Sequence, residues 1–406
     1  MLNRFLRTAP TRTLLAAIGG FLAVVAGGTA IALAAQGNGP VPSPARLATA
    51  IHRALDARPV KGISADVNFT NGLIGASELQ GTDPLLQGGS GHIWASSTGQ
   101  LRVELYGDNG DPEIVVNGNS WWISDPALQT VYRGTLPAGH AKGTKSHRGS
   151  LPTVAQIQAD LNRLAAHMHL SGAVPTDTGG QPTYTVSVSP RTAGGLVGKL
   201  QLAWDAVQGI PLRFAVYARG DSKPVLELTA TNVSYGAVDP GVFKLAMPSG
   251  YHVVDVATPT APGATGAGAA RHGKHADVTG VRAVARQVPF TLVAPAALDG
   301  MARQSVSLVG AGAHRGALLV YGQGLGSVAV LEEPATASSA QQLQLSHGNG
   351  DHQTGIALPT FSVHGTSAQE LDTALGTLVR FTSNGVSYTV IGSVRAGVAR
   401  AVARGL

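Results

Sequence analysis

Few residues of this chain stand at spacings that chemistry would use. His347, Asp351 and His352 fall together in the stretch SHGNGDHQ, and two imidazoles with a carboxylate are ligands that a divalent ion accepts. That stretch is glycine-rich and follows a Ser/Gln run, so it offers no fixed geometry and reads as a solvated loop. Gly268 to His275, GAARHGKH, begins like a phosphate-binding loop but ends in His275. Such a loop needs Ser or Thr there for magnesium, a strand before it and a helix after it. His167 and His169, two apart on an expected helix, point in different directions. Asp108, Asp111 and Glu113 surround the turn GDNGDP, short of the ligand count and terminal Glu of an EF-hand. The chain has no His-Glu-x-x-His pair, no G-x-S-x-G elbow and no S-x-x-K nucleophile. It has no cysteine either, which removes thiol catalysis, Cys-ligated zinc, disulfides and an acylated lipoprotein cysteine. The expectation is no catalytic residue, no metal, no cofactor, and a protein that is not an enzyme.

The elements that would position a site must therefore be read for binding. Of the 406 residues, 44% are hydrophobic and 13% are charged, enough apolar material for a core and too little charge for a disordered chain. The net charge of +6 is mild at this length and is no nucleic-acid signature. With 53 Gly and 23 Pro, turns and short strands are expected to outnumber long helices.

Arg4, Arg7 and Arg12 precede an uncharged apolar run from Leu14 to Ala35. Such a run is long enough to span a bilayer as a helix, with its basic flank, residues 1–13, in the cytoplasm. Ala32-Leu33-Ala34 also fits a signal-peptide cleavage site. A signal anchor and a cleaved signal remain open. Both put the rest outside the cytoplasm, single-pass on the cytoplasmic membrane or secreted.

Residues 36–44 form a short uncharged leash. Leu47, Ile51 and Leu55 then recur with helical spacing. Ile63, Ala65, Val67 and Phe69 alternate with polar residues, as do Leu101, Val103 and Leu105, which is the pattern of half-buried strands. Asn117-Gly118 is a type I′ hairpin signal; in that register Trp121 shares a face with Ile114 and Val116, while Trp122 points to the other side. Further strands are expected at 184–188, 200–204, 212–217 and 225–235. Val154, Ile157, Leu161, Leu164 and Met168 predict an amphipathic helix over 152–169 that lays its apolar face on the sheet. The basic stretch 140–148, HAKGTKSHR, suits a solvated loop or anionic headgroups. Residues 257–276 are a Gly/Ala/Pro linker to a second unit, 277–406, with strands expected at 290–293, 306–309, 317–321, 327–331, 377–382 and 387–392.

Gly91-His92-Ile93-Trp94, then Asn117-Gly118 with Trp122 and Asp125-Pro126, resemble the LolA/LolB-like lipoprotein-carrier superfamily. Trp204-Asp205, Gly209-Ile210-Pro211-Leu212-Arg213 and the closing DPGVFKLAMPSG at 239–250 extend the resemblance over residues 45–256. In the second unit, Phe290-Thr291-Leu292, Pro295, Gly300, Tyr321-Gly322 and Gly385-Val386-Ser387-Tyr388 before a helix ending in Ala403 resemble the RseB/MucB-type regulators.

This resemblance implies an α+β chain: a curved antiparallel sheet forming an unclosed β-barrel with inserted helices, followed by a second small α+β domain. It implies an apolar half-barrel cavity for a lipid or lipoprotein acyl chain, as carrier or envelope sensor. The alternative is a regulator that binds a membrane anti-sigma factor, and a third, less favoured reading is an envelope enzyme of an unrecognised class. The expected cavity residues are Val67, Phe69, Ile93, Trp94, Leu101, Val103, Leu105, Trp121 and Trp122 from the sheet, with Val154, Ile157, Leu161 and Leu164 from the helix. The family's cavity arginine has no assignable equivalent, and Arg102 stands in only by proximity.

Overall fold

The computed structural model describes residues 39–75, 79–80, 83–136, 152–191, 194–256, 278–310, 312, 315–335, 346–347, 354–356 and 358–406. The apolar run 14–35 with its basic flank, the stretch 140–148, the linker 257–276, Asp351 and His352 lie outside them. Among the described residues no helix is long and apolar enough to cross a membrane.

Helix α1 (Leu47–Asp56) leads into β1 (Gly62–Asn71), the two-residue β2 (Leu79–Gln80) and a helical turn, α2 (Pro84–Gln87). A meander follows: β3 (Gly88–Ser96), β4 (Leu101–Leu105), β5 (Glu113–Asn117), β6 (Ser120–Asp125) and β7 (Thr130–Thr135). Helix α3 (Val154–Ala165) interrupts it. Thr153 caps that helix and Gln156 reaches back to the Thr153 amide, a capping box that sets its start. Then come β8 (Met168–Leu170), β9 (Val174–Thr178), β10 (Gln181–Pro190), β11 (Val197–Asp205), β12 (Pro211–Ala218), β13 (Leu226–Tyr235) and β14 (His252–Asp255).

Except for β2, these strands form one 13-stranded sheet in the order β14-β7-β6-β5-β4-β3-β1-β13-β12-β11-β10-β8, with β9 also on β10. All its pairs are antiparallel except β14 on β7. No pairing joins β14 to β8 among the described residues, so the sheet is not closed. It is nevertheless curled. A side chain at Gly179, in the β9–β10 turn, would meet the Ala230 carbonyl oxygen of β13 at 2.8 Å. In a flat sheet β10 and β13 would stand about 14 Å apart, three strand spacings.

The second unit carries α4 (Val281–Ala285), β15 (Ala297–Leu298), β16 (Met301–Val309), β17 (Gly316–Tyr321) and β18 (Val328–Pro334). The short β19 (Ser346–His347) and β20 (Thr354–Ile356) precede β21 (Thr360–Val363), β22 (Thr366–Thr373), β23 (Gly376–Ser383), β24 (Val386–Gly392) and α5 (Ala396–Arg404). Eight of these strands form a sheet ordered β15-β16-β17-β18-β24-β23-β22-β21. Leu319, Tyr321, Val330, Val379 and Val390 from the sheet, with Ala399 and Val402 of α5, make its core. The two large sheets touch. The Leu196 amide donates to the Ser393 carbonyl at 3.0 Å, the Ala374 amide donates to the Leu73 carbonyl at 2.8 Å, and β2 pairs with β20.

The α+β class, the curled open sheet and the helix-poor balance match the expectation. Four details differ. Helix α3 stops at Ala165 because Met168 to Leu170 pair with β10 instead, which puts His169 on a strand. Residues 290–293 form no strand: the Val293 amide donates to the Glu332 carboxylate at 3.1 Å. Strands β7, β9, β14, β21 and β22 were not expected; for the last two, His364 and Gly365, both at positive φ, supply the hairpin turn. Asn117 pairs with Ser120, so the β5–β6 turn is Gly118-Asn119, with positive φ at Gly118. That is the II′ arrangement one residue later, and it shifts the pairing by two positions, which leaves every side chain on the expected face.

Candidate functional site

Strand alternation sorts the first sheet into two faces. Ile63, Ala65 and Val67 of β1 sit in register with Ala95, Ile93 and Gly91 of β3, and Leu101, Val103 and Leu105 of β4 continue that apolar face. Val116 and Trp121 extend it onto β5 and β6. Of the expected cavity residues, Val67, Ile93, Leu101, Val103 and Leu105 come together here, each only 1–3% exposed, packed with Leu136 and Leu212. A wall of a hollow sized for an acyl chain would keep accessible area on its inner side. In this conformation that end of the face is filled. Phe69 and Trp121 stand partly buried at its margin.

Trp94 and Trp122 are elsewhere. Each alternates with an apolar-face neighbour, Ile93 or Trp121, and period two therefore turns it to the opposite face. Trp122 packs with Val115, Val131, Leu245 and Tyr251; Trp94 makes a tilted ring contact with His92. Neither shares a hollow with Val103, and Arg102 is likewise on their side. The helix residues also separate. Helix α3 packs on α1 and β8 rather than on the middle of the sheet. Ile157 is buried and Leu161 half-buried, but Val154 and Leu164 are 38% and 39% exposed. A surface groove of about 430 Å³ runs along the outer side of α3, lined by Pro152, Gln156, Asp160 and Arg163. It is polar, unlike an acyl-chain pocket.

The apolar face continues to the far strands, and there its cover is only partial. Phe69, Leu228, Phe214, Leu202 and Val186 face one another in register across β1, β13, β12, β11 and β10. All five are half-buried. They form an unbroken apolar row about 19 Å long at the usual strand spacing. Beside it run Leu226, Val216, Leu200 and Val188. Helix α1 covers the β10–β11 end through Leu47, Ile51 and Ala54, in a cluster that holds Tyr184 and Trp204 together with the row residues Val186 and Leu202. The Tyr184 hydroxyl donates to the Ser43 carbonyl at 2.7 Å and ties the chain ahead of α1 to β10.

The opposite face is polar and internally bonded. Arg102 bridges Glu113 at 2.6 Å and Glu104 at 3.3 Å, and its guanidinium lies 4.8 Å from the Trp94 ring centre. Arg213 donates to Glu227 at 2.6 Å, to Gln201 at 2.9 Å and to the Tyr217 hydroxyl at 2.9 Å. Near β1, Ser64, His92, Asp66 and Asn232 form a continuous hydrogen-bonded chain. The reading of the sequence missed this group. The signal was present in part, since Ser64 and Asp66 at i and i+2 of a strand share a face, but which strand brings a histidine to them is a matter of register.

The acidic residues around the turn GDNGDP serve the turn and a strand. Asp111 accepts from the Gly107 amide at 3.0 Å and closes a turn, and Glu113 is held by Arg102. Among the described residues no three His, Asp or Glu converge to hold a metal.

No protein-family model and no curated protein matches this chain. Among solved structures it is similar to MucB in complex with MucA(peri), at 15% identity and TM-score 0.37, covering 88% of this chain and 94% of that one. The Pseudomonas aeruginosa MucA/MucB complex matches at 16% identity and the same TM-score and coverage. A putative outer membrane lipoprotein-sorting protein domain from Vibrio parahaemolyticus matches at 10% identity and TM-score 0.22, over 49% of this chain and 96% of that one. At such scores the likeness decides neither ligand nor partner, and function has to be argued from the two faces.

Proposed function

We propose that the chain is an extracytoplasmic binding protein that lays the acyl chain of a lipid or lipoprotein along the row from Phe69 to Val186. The observation that carries this reading is the row itself: five apolar residues in register across five strands, half-buried in a sheet whose neighbouring strands are packed closed. Each methylene moved from water onto such a surface contributes about 0.8 kcal/mol. A chain of modest length is thus held without polar contacts and without chemistry. The run 14–35, as a signal anchor or signal peptide, would deliver the sheet to the membrane that supplies the ligand. Val67, Ile93, Leu101, Val103 and Leu105 adjoin the row through Phe69 and would receive a longer chain only if their cover moved. The test is uptake of a fluorescent fatty acid by the full-length protein in nanodiscs. Leu228→Asp and Phe214→Asp are each expected to weaken uptake about tenfold or more, because a carboxylate resists losing its water. No uptake by the unaltered protein would remove the reading.

A second reading is a regulator that binds a membrane anti-sigma factor. The observation favouring it is that the second sheet is tied to the first, through Leu196–Ser393 and Leu73–Ala374, as a two-part platform for a protein partner would be. Crosslinking in native membranes separates the readings: a recovered protein partner with no bound lipid favours this one.

A further inference from the structure

The geometry points to an activity on the polar face: we propose that Ser64, His92 and Asp66 form a relay able to accept an acyl group from a carboxylic ester. The Ser64 Oγ lies 2.7 Å from His92 Nε2, and His92 Nδ1 lies 2.9 Å from Asp66 Oδ1. The hydrogen bonds of Asn232 and His92 hold the Asp66 carboxyl below the usual carboxylate range, so it is ionised and only accepts. His92 Nδ1 must then carry the proton it donates, which leaves Nε2 as the acceptor and the Ser64 hydroxyl as donor. This is the order of contacts, through both ring nitrogens, by which an imidazole acts as general base toward a serine.

The fold sets that order. Ser64 and Asp66 sit on the same face of β1, and His92 of β3 is the direct partner of Asp66. Trp94, the partner of Ser64, lies against the imidazole with ring centres 4.3 Å apart and the planes tilted by 41°, which crowds its rotation. On the other side β13 carries one extra residue between Ser234 and Thr231. Asn232 occupies that bulge at φ 51°, and its side-chain amide donates to Asp66 Oδ2 at 2.7 Å. A bulge re-aims a side chain in this manner, so both Asp66 oxygens are held. The side chains of His92 and Asp66 keep 22% and 48% of their area exposed, and Ser64 beside them is half-buried, so the relay borders solvent.

In the step proposed, the Ser64 oxygen bonds to the ester carbonyl carbon as its proton passes to His92 Nε2. The carbon–oxygen bond to the alcohol then breaks, the leaving oxygen takes the proton from His92, and an acyl-Ser64 remains. Water attacks that carbonyl, gives a proton to His92, and releases the acid as Ser64 regains its hydrogen. Ser64 lies in mid-ladder between Trp94 and Ser234, not on a strand-to-helix elbow, so its backbone amides belong to the sheet. Lacking such an oxyanion hole costs about 10²–10³ in rate. Activated esters with small acyl groups are therefore the expected substrates, and peptides are not.

This activity is on the opposite face from the proposed acyl-chain row, and its test is independent of lipid uptake. The full-length protein is treated with p-nitrophenyl acetate and with a fluorophosphonate, and adducts are located by mass spectrometry. The expected result is a burst of nitrophenol and one adduct on Ser64. Ser64→Ala abolishes both, His92→Gln slows labelling about 100-fold or more, and Ser90→Ala, an exposed serine on the same face, changes nothing. Asp66→Asn slows labelling while leaving the thermal midpoint near that of the unaltered protein. Adducts scattered over several serines, or labelling of Ser64 at an unchanged rate in His92→Gln, would overturn the proposal.

Discussion

The two ends of the first sheet are covered differently. Around β3 and β4 the apolar face is sealed and the polar face meets solvent, as at Val103 and at the half-exposed Asp66. Around β12 and β13 the polar face is sealed as well: Arg213, Ala215, Glu227 and Thr229 are buried, while on the apolar face Leu212, Val216 and Ala230 are buried and Phe214 and Leu228 only half-buried. Burial therefore follows what covers a strand and not the polarity of its residues. An arginine and a glutamate in the interior together with a half-buried phenylalanine is a costly arrangement, and the proposed acyl chain on the row would offset part of it.

The largest effect is expected where that cost is greatest. Glu227→Ala leaves Arg213 buried without its carboxylate and should destabilise the fold by about 3–5 kcal/mol in urea unfolding. A loss below about 1 kcal/mol would show that water reaches the pair and that the far polar face is not sealed. The second sheet sharpens the contrast: its buried Glu370 is bridged by Arg400 at 2.6 Å, while buried Glu332 has no ion-pair partner among the described residues. Glu332 is buried with one oxygen unpaired, and burial pushes its carboxyl up to about 7. Since the folded value is raised, the stability it permits is fully present below about pH 4.5 and declines as pH rises through 7. The decline amounts to about 3 kcal/mol by pH 9, and Glu332→Gln should flatten the unfolding profile across that window. An unchanged profile would mean that Glu332 stays ionised and hydrated. The smallest contrast lies within the apolar face. Leu101→Ala, in the packed end, should cost about 2–5 kcal/mol, and Leu228→Ala, in the open row, about 1 kcal/mol. Equal losses would erase the distinction between the two ends.

Much of this arrangement is legible in the residues. The alternation at Ile63 to Phe69 and Leu101 to Leu105 places those side chains on one face without knowledge of the fold, and it survives the slip of the β5–β6 turn to Gly118-Asn119 because pairing moves by two. Alternation also dictates that Trp94 and Trp122 leave that face. What periodicity does not contain is cover. Nothing local says that Leu136 and Leu212 seal Val103, or that Phe214 on an equally apolar strand remains half open. The Ser64–His92–Asp66 relay was hidden for a related reason: its geometry depends on β1 pairing with β3 at one register and with β13 through a bulge at Asn232. Strands β21 and β22 escaped because their turn is His364-Gly365, outside the commonest hairpin pairs.

The most direct test of the central claim is photocrosslinking with a diazirine fatty acid in nanodiscs, followed by mapping of the labelled peptides. The account predicts label on β12 and β13, at Phe214 and Leu228, and on Leu202 of β11. Label confined to Leu101 and Val103, or to the outer side of α3, would contradict it.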